Sequence, residues 1–136
     1  MTYTISTTVD APFDEVVDAM KAHVSEEGFG ILADIDVQET FANNLDEEID
    51  RYRIFGACNP PLAHEGIGIE SDLGALLPCN VTVYESEAGN VVVSAVDPEE
   101  LIGVTGNSDL DHIATEVGER LTRVVDSVAA EFEVVA

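Results

Sequence analysis

Two short blocks hold both cysteines of the chain and most of the residues that could do chemistry: CNPPLAH over positions 58–64 and PCN over positions 78–80. Four readings of them stay open on sequence. In a redox reading, Cys58 stands just before the helix-start signal Asn59-Pro60, where the helix dipole favours thiolate, and Cys79 resolves a sulfenate or disulfide formed there. A helix end contributes only about 0.3–1 kcal/mol, less than one pKa unit, and the acidic surroundings oppose it. In a metal or haem reading, Cys58, Cys79 and His64 supply soft and imidazole ligands. The paired C-x-x-C of a structural zinc site is missing, and one protomer offers only these three donors.

A third reading is a small-molecule pocket in which Asn59, Asn80 and backbone groups bind the ligand while Cys58 and Cys79 form small apolar walls. Nucleophilic hydrolysis by Cys58 with His64 is a weaker branch, because a Cys-His pair needs a positioned third group. The fourth reading is structural. Free cysteine is among the most buried residue types, Asn59 can cap a helix, and Asn80 can hold a turn before a strand. No reaction and no cofactor follows from these residues alone.

Whether the two blocks meet depends on the elements that carry them. Tyr3, Ile5, Thr7 and Val9 alternate with polar residues at the period of a half-buried strand. Asp10 and Pro12 then signal a helix start, and Phe13, Val16, Val17, Met20 and Val24 form an apolar stripe before Gly28 closes it. Strands follow over 28–37 and 51–58, with a helical turn over 38–45 and a short helix from Pro60 through Ile69. NVTVYE and NVVVSAV make a hairpin, and a long amphipathic helix capped by Ser108 runs from Leu110 to Phe132. The sum predicts one domain over 1–136, an α+β two-layer sandwich: a mostly antiparallel sheet of about five strands with two main helices on one face. If the strands at Cys58 and Cys79 are antiparallel neighbours, both thiols lie at one end of the sheet; if parallel, at opposite ends.

Charge narrows the partners. The chain carries 28 Asp and Glu against 5 Lys and Arg, a net charge of -23, with Lys21 its one lysine. Such a field opposes a compact fold unless concentrated salt screens it; at about 1 M the Debye length is roughly 3 Å. The acid is scattered through SEEG, NLDEEIDR, VDPEEL and EFE, which fits a salt-filled cytoplasm better than a patch for a basic partner. Nucleic acid is excluded for want of Lys and Arg. No apolar run approaches the roughly 20 residues of a membrane span, and the start shows no basic, then apolar, export signal. A cytoplasmic chain with reduced thiols is expected. His23 and His112 read as surface residues, and Arg51 and Arg53, flanking Tyr52, as partners for carboxylates. EAGN and GFG lack a phosphate-loop pattern.

EEGFGILADIDVQ, YRIFGACNPPLAHEGI, DLGALLPCNVTVYE and VVVSAVDPEEL together resemble the domain-of-unknown-function family 302, here as a salt-adapted, haloarchaeal member. The resemblance implies a small α/β domain that forms homodimers, stands alone or joined to other domains, and has no agreed activity. Gln38 and Glu65 stand where relatives carry Lys or Arg, so any role for a basic residue there is not carried over.

Overall fold

In the computed structural model, which describes residues 2–135, the first apolar stripe becomes the buried face of a helix. Strand β1 (Thr4–Asp10) leads into α1 (Phe13–Glu26), which buries Phe13, Val16, Val17, Met20 and Val24. Next come β2 (Gly30–Asp36), α2 (Val37–Leu45), β3 (Tyr52–Cys58) and α3 (Pro60–Ile69). After a 3-10 turn, Ser71–Leu76, follow β4 (Cys79–Glu85), β5 (Val91–Val96), α4 (Pro98–Gly103), α5 (Asp111–Glu131) and β6 (Glu133–Val134).

Every adjacent pair in the sheet is antiparallel, and the strand order is β2-β3-β4-β5-β1-β6. Against the expected sheet of about five strands, the described residues form six. After α5 the chain turns back and pairs Glu133 and Val134 with Asp10 and Val9, a segment too short to show a period in sequence. Helix α4 is a second addition. Its signal was present in VDPEEL: Pro98 opens the helix and the Asp97 carboxylate accepts from the Glu99 N–H at 3.0 Å.

Alternation along the strands sorts the residues. Val9, Phe55, Ala57, Val81, Val83, Val91, Val93 and Ala95 are buried in one cluster with the apolar stripes of α1 and α5. Between them lie two rungs that stay half-buried or exposed, Thr8–Val92–Tyr84–Tyr52 and Ser6–Ser94–Thr82–Ile54. The Tyr52 and Tyr84 rings stack with centroids 5.1 Å apart.

The five cations are all engaged within the protein. Arg51 donates to Asp14 at 2.7 Å, Arg53 to Asp34 at 3.1 Å and Arg123 to Glu27 at 2.9 Å. Arg120 donates to Glu116 and to the Glu27 carbonyl, and Lys21 lies 5.4 Å from the centre of the Phe55 ring. Among the described residues these contacts leave no cluster of free cations to hold an anionic ligand.

One glycine of β3 is fixed by close packing. A Cβ on Gly56 would sit 2.6 Å from Cγ of Pro78, a ring atom that cannot swing aside. Gly56→Ala should therefore destabilise by about 1–2 kcal/mol even though alanine suits a strand interior better. Urea denaturation in concentrated KCl checks this; an unchanged or raised midpoint would show that the Pro78 ring yields.

Candidate functional site

Strand β3 ends at Cys58, and the chain enters α3 through Asn59, Pro60 and Pro61. The Asn59 side-chain oxygen accepts from the Leu62 N–H at 3.2 Å, capping the helix, while the two prolines occupy positions where no N–H is needed. Strand β4 begins at Cys79, which stands opposite Ala57 in the antiparallel register. Both thiols thus lie at the same end of neighbouring strands.

Residues Cys58 and Cys79 both line a narrow cavity of about 30 Å³. Leu62 and Ala63 of α3 close one side; Leu73, Leu77 and Pro78 close another; Ile113 and Val117 of α5 form the back. Asn59, 8% exposed, is the polar residue of the wall. The turn between α1 and β2 fits against it. Gly28 has φ +84°, and a Cβ there would come within 3.1 Å of the Asn59 amide nitrogen and 3.2 Å of an Arg120 Nη. A side chain at position 28 would therefore be strained twice.

Burial sets the chemistry of Cys79. It is 5% exposed, and desolvation first, the neighbouring Cys58 second, push its thiol from 9.0 up to about 11. At pH 7 that leaves a thiolate fraction of about one in ten thousand. A resolving or attacking thiol works as thiolate, so Cys79 is placed as a neutral wall. Cys58 is half-buried and unbridged.

The structure does not assemble the rest of the expected constellation. His64 is exposed on α3 and lies outside the cavity wall. Asn80 is not in a turn but inside β4, so alternation carries it to the opposite side of the sheet from Cys79. There it lines a surface hollow with Tyr52, Thr82, Tyr84 and Ser94. Among the described residues no group of three or more His, Cys, Asp and Glu is arranged to hold a metal ion, and the set Cys58, Cys79 and His64 does not come together. His23 bridges Glu26 and Glu131 at 3.2 and 3.1 Å, and His112 contacts Glu65. The sequence reading missed the apolar wall. Leu62 lies within the first block and Leu77 just before the second, but neither carries a chemical signal of its own.

The family model described as "Domain of unknown function DUF302" matches residues 5–128. No curated protein matches the chain. Among solved structures, the crystal structure of an uncharacterised conserved protein DUF302 from Bacillus stearothermophilus is similar over 94% of this chain and 99% of its own. The TM-score is 0.88 at 23% identity, a likeness of fold.

Proposed function

We propose that this chain, which belongs to the DUF302 family of unknown function, is a binding domain whose two-cysteine cavity takes a small, uncharged, apolar molecule. The observation that carries the reading is the cavity itself: a nearly wholly apolar pocket lined by residues Cys58 and Cys79, with the Cys79 thiol held neutral. Protonated sulfur is soft and polarizable and packs as a small hydrophobe. Thiol redox chemistry and metal capture both need thiolate, which burial here opposes.

Size sets the ligand class. A dry apolar cavity of about 150 Å³ accepts benzene; one of about 30 Å³ holds a group nearer a methyl or a diatomic molecule. A larger ligand enters by its apolar tip, with Leu62 and Ala63 giving way. In this reading the cavity sits at one end of a two-layer sandwich with α1 and α5 on one face, an arrangement supported by the buried parity of the strands. The net charge of -23 supports placing the domain in a salt-filled cytoplasm.

Thermal melting in concentrated KCl against a panel of small uncharged apolar compounds tests this. A ligand at a hundred times its Kd stabilises by about 2.7 kcal/mol, a rise of several degrees for a chain of this size. Ala63→Leu, which fills the cavity from α3, is expected to abolish the rise. A shift that survives in that variant places the ligand elsewhere, and a panel without any shift removes the binding reading.

A further inference from the structure

We infer that the cavity lined by Cys58 and Cys79 selects ligands with an acetyl-like end, a methyl group beside a neutral carbonyl oxygen, and that the amide nitrogen of Asn59 receives that oxygen. The inference rests on the reading of this cavity as a binding site and names the chemistry of its ligand. Asn59 is 8% exposed and is the polar side chain of a wall otherwise made of apolar residues and the two cysteines. Its two polar atoms are used unequally. Oδ1 accepts from the Leu62 N–H at 3.2 Å, whereas Nδ2 donates to no group among the described residues.

The helix cap fixes which end of the amide is which. Only the oxygen can accept from the Leu62 N–H, so the nitrogen is the end left to meet a ligand. No fully enclosed side-chain nitrogen or oxygen among the described residues lacks a partner. Nδ2 therefore borders open space, and the cavity is a space that Asn59 lines. Gly28 packs beside the same nitrogen, where its missing Cβ would stand at 3.1 Å, and it brings no side chain that could accept from it.

The surroundings select the class of acceptor. The cavity of about 30 Å³ has room for one water, but a buried water needs two to four polar partners. This wall offers one amide and two weakly bonding thiols. An alcohol would bring a donor of its own, and Oδ1 is already engaged in the cap. A carboxylate would bring charge into an apolar space within a chain of net charge -23. The neighbouring Arg120 does not offset that charge, because it already donates to Glu116 at 2.9 Å and to the Glu27 carbonyl at 2.7 Å. A ketone oxygen accepts without donating and carries no charge. The methyl beside it matches the apolar volume.

Chemical-shift titration of the full chain in concentrated KCl tests this with four probes: butan-2-one, 2-methylbut-1-ene, in which CH2 replaces the oxygen, butan-2-ol and acetate. The ketone is expected to bind at least about threefold more tightly than the alkene, and more tightly than the alcohol or acetate. Asn59→Asp keeps the helix cap but puts an oxygen where the donor was, and should lose the preference for the ketone. If that variant misfolds, Asn59→Gly, also tolerated as a cap, serves in its place with the same expectation. Equal Kd values for ketone and alkene in the wild type overturn the inference and leave the apolar-cavity reading standing. So does tighter binding of the alcohol or acetate, or a preference that persists in a folded Asn59 variant. Binding that survives Ala63→Leu, or no binding by any of the four probes, removes the cavity reading and this inference with it.

Discussion

Phe55→Ala is expected to cost about 3–5 kcal/mol, a large share of the roughly 5–15 kcal/mol that holds a domain of this size together. Phe55 is fully buried in the middle of β3, where its register partner on β4 is the equally buried Val81. Truncation removes the apolar transfer energy and leaves a void that neighbouring strands, fixed in their ladders, cannot close. The ring also supports two of the five cations: Lys21 lies 5.4 Å and Arg53 4.9 Å from its centre. Each such contact is worth about 0.5–1 kcal/mol at an accessible site. Urea unfolding in concentrated KCl should show the midpoint fall with little change in slope. A loss under about 1.5 kcal/mol would mean that the core relaxes into the gap, more like a mobile than a close-packed interior.

The second large effect depends on pH. The Cys79 thiol is raised in the fold from 9.0 to about 11, so the folded state holds its proton where the unfolded chain has begun to release it. Below pH 9 both states are protonated and the thiol has no net effect. As pH rises from 9 to 11 the unfolded state ionises first, and stability falls by about 2–3 kcal/mol before levelling off. Other groups titrate in this range, so the informative quantity is the difference between wild type and Cys79→Val. It should be flat up to pH 9 and then grow against the wild type. A flat difference up to pH 11 would mean that water reaches Cys79 and that the cavity is wet.

The parts of this architecture written as periodicity were readable before any coordinates. The stripe from Phe13 to Val24 and the one from Leu110 to Val128 are each buried along one helix face, and the hairpin between Tyr84 and Val91 joins β4 to β5. The candidate site was less legible, because it depends on parity and phase. A strand that begins at Cys79 must send Asn80 to the other side; treating Asn80 as a turn residue hid this. His64 failed for a different reason. Helix α3 is apolar on several sides, with Ile67 and Ile69 both exposed, so no stripe fixed the rotation that points His64 outward. The two-residue β6 exists only because β1 offers it an edge, a tertiary cause with no local trace.

The position of β1 also sets an order of events. Strand β1 lies between β5 and β6, so both of its partners are made well after it. At about 5–20 residues per second, synthesis separates Thr4 from its partner Val96 by roughly ten seconds. Until then β2, β3 and β4 can zip as a local meander, whereas β1, with its alternating apolar residues, has no ladder to join. Nascent β1 is therefore the strand most exposed to wrong pairing. Folding of the finished chain should be limited by closing the long loop between β1 and β5 rather than by forming the hairpin beside it.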